Sequence, residues 1–317
     1  MNKIAVLVLI SALTTCHLIT AEENPTVVCT TTALQALVET VSGDRIDVIS
    51  LVQPGVCPSH FDVRPSHVSE VGQASLILYH GVEPWLEGLV EAAGNDSLLT
   101  LEVAGPWNTP DLASQKIEMI RDALIQIDPK NASYYTKNAQ DAVKELETLA
   151  DSIKEETESL NTGNVPVLCM EWQQFIVKWM GFPIAGTYPP PETVSVKDVN
   201  QLIETGETAG AILVIDNLQS GTDIGSRIAA EIGAYHVILT NFPRAVPETD
   251  TIADMIEYNA HQLLTAVQEY QQEKETISSL EKELEKERSK RDIYQVLTFI
   301  LAALCGIEGL VLYVRTR

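Results

Sequence analysis

The sequence predicts an α/β protein of two similar lobes, each with a mainly parallel sheet, and three observations predict it. Short β-branched or apolar runs alternate with helix-period segments from residue 26 to 93. The same alternation returns from 165 to 267. Between them residues 132–157 carry an unbroken ladder of Ala139, Val143, Leu146, Leu149 and Ile153, long enough for a rigid helix joining the lobes.

The elements of the first lobe follow in order. Residues 26–30 are a β-branched strand; 31–41 carry Leu34, Leu37, Val38 and Val41 at helical spacing and stop at Gly43. A second strand is expected over 45–52, a short helix over 66–72, a third strand over 74–79 and a helix over 85–93. Residues 111–128 are strongly helical. In the second lobe, strands are expected at 165–169, 211–215 and 235–239, and helices at 172–180, 196–204, 224–232 and 251–267. Residues 188–191, Tyr-Pro-Pro-Pro, read as an extended connector. The resulting organisation is a signal peptide (1–21), an N-terminal lobe (25–110), a helical connector (111–160), a C-terminal lobe (164–267), a helical stalk (268–292) and a transmembrane anchor (293–314).

The two ends carry export and membrane signals. Lys3 precedes the apolar run 4–13, with a cleavage context at Ala21 and a weaker lipoprotein-like one before Cys16. Residues 293–314 are apolar apart from Glu308, close to the ~20 residues that span a bilayer. Arg315 and Arg317 are fewer than the basic residues at 282–291, so flanking charge alone favours the reverse orientation; the leader decides that the folded part lies outside, at the cell surface. The formal net charge of -23 leaves no basic face for phosphates and excludes nucleic-acid binding. Cys29, Cys57 and Cys169 are an odd number outside the two ends, which leaves open one bridge with a spare thiol, or thiols as ligands. Asn95 and Asn131 stand in glycosylation sequons.

The segment 54–66, PGVCPSHFDVRPS, holds Cys57, Ser59 and His60 between prolines and a glycine. Such a segment is a shaped loop, and at a strand end it is a place to hold a ligand. A run of amide and hydroxyl side chains, Asn217, Gln219 and Ser220, follows the strand at 211–215. No Gly-x-Ser-x-Gly elbow, phosphate loop or HExxH occurs, so the sequence offers no enzyme.

From residue 26 to 267 the chain resembles the zinc/manganese solute-binding proteins of ABC importers. VVCTTTALQALVETVSGD is similar to that family's first strand and helix, PGVCPSHFDVRPS to its Pro-Gly loop, LILYHGVEPWLE to its third strand and Glu-x-Trp, and DPKNASYYTKNAQDAVKELETL to its long helix. The resemblance implies a cleft between the lobes, an ABC permease as partner, and a transition metal as transported ligand with no organic cofactor. The family's ligands, three histidines and a carboxylate, fall here on Ser59, Gly105, Met170 and Asn241. Four readings follow. An altered metal set would use Cys57, His60, His80, Cys169 and Met170, whose thiolate, thioether and imidazole donors favour Zn²⁺ or Cu(I) over Mn²⁺. A metal chelate or organic solute would meet Ser59, Trp107, Asn108, Glu171, Asn217, Gln219 and Asn241, with Trp85, Trp172 and Tyr188 as further walls. The third reading is a degenerate binding protein serving as a surface scaffold, and the fourth an enzyme.

Overall fold

The computed structural model describes the backbone of residues 24–315 and side chains as far as residue 303. The leader, with Cys16, lies outside the described residues, as do the side chains of Cys305 and of the last part of the expected membrane span.

The chain divides into two compact units. Unit 1 takes in the described residues as far as Trp107, with Asp111–Leu146 and Phe242–Ile252; unit 2 comprises Asn108–Pro110, Glu147–Asn241 and the chain from Ala253.

Unit 1 holds β1 (Thr26–Cys29), α1 (Thr32–Ser42), β2 (Asp47–Ser50), α2 (Pro65–Gln73), β3 (Leu76–Tyr79), α3 (Leu86–Ala93) and β4 (Leu99–Glu102). The sheet is parallel throughout, in the order β2-β1-β3-β4. Thr31 caps α1 by accepting from the Leu34 N–H, and Gly43 ends it at φ 54°, a conformation glycine takes without steric cost. Val28, Leu51, Val71, Ile77 and Leu89 form part of the core.

Two long helices follow, α4 (Pro110–Ile127) and α5 (Ala132–Ser159); the second has residues in both units. Unit 2 adds β5 (Val167–Met170), α6 (Gln174–Trp179), β6 (Ile184–Tyr188), α7 (Val196–Ala209), β7 (Leu213–Asn217), α8 (Asp223–Ile232) and β8 (Tyr235–Leu239). Its sheet is again parallel, in the order β6-β5-β7-β8, the same arrangement as in unit 1. Leu168, Met170, Tyr188, Val214 and Ile228 form its core.

Several boundaries differ from expectation. β4 and β6 are added strands at sheet edges, in segments to which the sequence reading assigned no strand. Each is four or five residues long, and β6 carries Gly186, so their periodicity says little until a neighbouring strand pairs with them. The helix expected over 172–180 begins as a 3₁₀ turn, Glu171–Gln173. The final lobe helix, the stalk and the apolar stretch are one helix, α9 (Ile252–Arg315), because no Pro interrupts 252–315. Among the described residues no helix is long and apolar enough to cross a membrane. What the described part of α9 shows is exposed Ile293, Val296, Leu297, Phe299, Ile300 and Leu301.

Candidate functional site

In a parallel sheet whose strand order reverses, the loops on either side of the reversal leave in opposite directions and open a crevice at the strand ends. That point lies between β1 and β3 in unit 1, and between β5 and β7 in unit 2. Residues from both sequence-derived sets gather at these ends.

In unit 1 the residues after β1 and β3 form one buried network. The Glu83 carboxylate accepts from the Thr30 hydroxyl at 2.5 Å, from the His80 N–H at 3.0 Å and from the Val82 N–H at 2.9 Å. His80, only 5 % exposed, lies with Nδ1 3.3 Å from the Val103 carbonyl and Nε2 2.8 Å from Thr31 Oγ1. A carbonyl only accepts, so Nδ1 carries the proton; Nε2 then accepts from the Thr31 hydroxyl, whose oxygen still receives the Leu34 N–H. The ring stacks on Trp107 at 4.1 Å. Both nitrogens are thus engaged, and a metal at Nε2 has to displace Thr31.

Burial lowers the His80 pKa to about 4, against the Glu83 charge that acts in the opposite sense. The unfolded chain therefore binds more protons than the folded one between about pH 6.5 and 4, and stability is lost as pH falls through that window. An order-of-magnitude loss of about 3 kcal/mol is expected, from ~1.4 kcal/mol per unit. Urea unfolding at a series of pH values should show this slope in the native chain and a flatter one in His80→Gln; equal slopes would refute the assignment.

The Pro-Gly loop is shaped as expected. Pro58–His60 is a single 3₁₀ turn; Trp85 Nε1 donates to the Pro58 carbonyl at 2.7 Å, and Phe61 lies between the rings of Trp85 and His67. His67 is buried and caps α2 by accepting from the Arg64 N–H at 2.9 Å. Ser59 and His60 are exposed and Cys57 half-buried. Cys29, Cys57 and Cys169 are all free, so the bridged alternative falls away. Cys169 is buried, and desolvation pushes its thiol up to about 12; Met170 beside it belongs to the core. The sequon amides are used inside the fold: Asn95 donates to the Ala74 carbonyl at 2.9 Å and Asn131 to Asp128 at 2.6 Å.

In unit 2 the strand ends carry amides. Asn108, 2 % exposed, donates from Nδ2 toward the Trp172 carbonyl at 3.2 Å, Asn241 Oδ1 at 3.3 Å and Gln173 Oε1 at 3.5 Å. Gln219 Oε1 accepts from the Asn241 N–H at 3.1 Å and from Asn217 at 3.2 Å, while its Nε2 donates to Thr240 at 2.9 Å. Glu171 is half-buried and Trp172 is 47 % exposed. Tyr188 is no wall of a solute site. It is fully buried and donates to Asp216 Oδ1 at 2.6 Å, with His236 Nε2 2.7 Å from Asp216 Oδ2.

The structure thus joins His80 to Trp107 in unit 1, and Asn108, Asn217, Gln219 and Asn241 in unit 2. Among the described residues no group of three or more His, Cys, Asp or Glu is placed to hold a metal ion. Thr30, Thr31, Glu83 and Gln173 were missed by sequence reasoning. Thr30 and Thr31 lie inside the first-strand match and Glu83 inside the Glu-x-Trp match, while Gln173 carried no signal.

The comparisons with known proteins fit this fold. The model of the family described as ZnuA, periplasmic component A of a zinc-uptake complex, matches residues 27–266. A putative metal-binding protein of Treponema pallidum is 24 % identical over 264 residues, covering 70 % of this chain and 81 % of that protein. The metal ABC transporter substrate-binding lipoprotein SloC of Streptococcus mutans is 27 % identical over 178 residues, 48 % of this chain and 58 % of its own length. The Mn-bound periplasmic metal binding protein of Candidatus Liberibacter asiaticus superposes with a TM-score of 0.68 at 17 % identity, over 77 % of this chain and all of that one, a likeness of fold. With residues 27–266, most of its length, matched by one family model, this chain belongs to the ZnuA family.

Proposed function

We propose that this protein is the solute-binding component of an ABC importer, which captures a transition-metal ion or a metal-bearing solute outside the cell and passes it to a permease. The family match over residues 27–266 carries the reading. Binding, not turnover, is the role.

Cys57 and His60 are the residues on which metal capture rests, because both lie in the shaped loop of unit 1 and neither is sealed in the core. A thiolate and an imidazole select Zn²⁺ or Cu(I) over Mn²⁺. His80 would join by giving up the Thr31 hydroxyl. Cys169 and Met170 would have to leave the core to contribute. The apolar side chains at 293–301 support a C-terminal membrane tether, which raises the local concentration of the binding protein at its permease.

The test uses the full chain, extracted from membranes and stripped of metal by a chelator. Calorimetric titration with Zn²⁺, Mn²⁺, Cu(I) and Ni²⁺ is expected to show binding of Zn²⁺ or Cu(I), weakened about 10–100-fold by Cys57→Ser or His60→Ala. Binding of none of the four would sink the reading. So would release of the chain by an alkaline wash sink its tether. A second reading, a surface scaffold that takes no metal, is favoured by one observation: the joined strand-end residues of unit 2 are amides, not charged ligands.

A further inference from the structure

The amide of Asn108 sits where three oxygens converge. Trp172 O, Asn241 Oδ1 and Gln173 Oε1 lie 3.2, 3.3 and 3.5 Å from Nδ2, and all three are acceptors. An NH₂ group has two protons to offer three oxygens, so one is shared. The carbonyl end of the same side chain does worse. Among the described residues Asn108 Oδ1 and Gln173 Nε2 have no hydrogen-bond partner, although Asn108 is 2 % exposed and Gln173 fully buried. Buried polar groups are nearly always paired, and an exception in a native fold calls for an explanation. The Trp172 carbonyl fixes the orientation of the amide: turned over, Asn108 would set Oδ1 against a backbone oxygen that can only accept. The group is therefore held by its NH₂ end alone, at the expense of its own oxygen and of the neighbouring amide.

Convergent carbonyl oxygens around one positive centre are what a hard cation takes from a protein. We propose that unit 2 contains an oxygen-lined cation seat whose occupant is the chain's own Asn108 NH₂ group, and that Asn108 keeps this seat shut to a bare divalent cation. Asn108 is then a specificity residue: solute is recognised without a cation bound at these oxygens. The seat is built from unit 2 and the Cys57–His60 pair belongs to unit 1, and the test of the seat does not depend on whether that pair takes zinc.

Ca²⁺ alone is the probe, because thiol and imidazole donors have little affinity for it and carbonyl and carboxylate oxygens have much. The full chain in detergent is compared with Asn108→Ala, which vacates the seat, and with Asn108→Asp, which puts a carboxylate oxygen in place of the donor. The melting temperature of the native chain should not move with millimolar Ca²⁺. Those of both variants should rise, by about 5 °C or more for Asn108→Asp at saturating ion. Folded variants indifferent to Ca²⁺ would overturn the proposal and leave Asn108 as a packing residue. A native chain stabilised as much as the variants would overturn it too. Should the variants not fold, the native chain labelled with ¹⁵N-asparagine decides. An Asn108 NH₂ pair protected from exchange and unmoved by Ca²⁺ supports the closed seat, and a pair that exchanges freely or shifts with Ca²⁺ refutes it. Zinc titration in the same samples tests capture by Cys57 and His60 separately.

Discussion

Gly225→Ala is expected to cost unit 2 about 3 kcal/mol, the upper range for overpacking a buried site. A Cβ at residue 225 would stand 2.1 Å from Asp216 Oδ2, 2.5 Å from Cγ and 2.7 Å from Oδ1. A methyl cannot share that space with a carboxylate, and the carboxylate cannot retreat. Asp216 is 1 % exposed, holds the Tyr188 hydroxyl on one oxygen and faces His236 with the other. Moving it would leave a buried charge short of its partners, which costs more than the overlap itself. Burial, and then the Asp216 charge, raise the Tyr188 pKa, so the phenol stays a donor across the working range. Urea denaturation followed by far-UV circular dichroism measures the loss. In an Asp216→Ala background the same glycine substitution should be nearly silent, since the clashing atoms are gone. Equal costs in both backgrounds would refute the steric account.

Glu83→Ala is expected to cost unit 1 about 3–5 kcal/mol, from three donors left unpaired at about 1–3 kcal/mol each with partial rescue by water. The carboxylate gathers the Thr30 hydroxyl and the backbone N–H groups of His80 and Val82. Removing it frees the turn that sets His80 between Thr31 and Trp107. Glu83→Gln keeps an acceptor and the shape, and should recover half or more of the loss. The near-ultraviolet signal of Trp107 reports whether the His80 stack survives. A Glu83→Ala chain with unchanged unfolding midpoint would show that Glu83 is a bystander.

Much of the fold was legible because its signals are local. The β-branched run at 26–30 corresponds to β1 at Thr26–Cys29, and the helix ladder that stops at Gly43 corresponds to α1. Two rounds of strand and helix correspond to two parallel sheets of one topology. The misses are equally physical. β4 and β6 are short edge strands, and a four-residue alternation means little without the ladder that pairs it. The site was less legible. The Pro-Gly loop was recognisable by its turn residues, and Asn217, Gln219 and Asn241 by their place after strands. Gln173 gave no sign, because a glutamine in an amphipathic stretch looks solvent-exposed until the fold buries it.

By itself the sequence determined the class, the repeat of the α/β pattern and the loop at the end of β2. Each of these depends on residues within a turn or a strand of one another, where backbone sterics and periodicity act directly. Only the tertiary structure decided what the polar side chains do. Thr31 meets His80 across 49 residues, Asn108 meets Gln173 across 65 and Asn241 across 133. A histidine with both nitrogens spent and an amide seated among three oxygens are consequences of which strand ends are brought side by side. That is a property of the order in which the strands pair, and no local pattern encodes it.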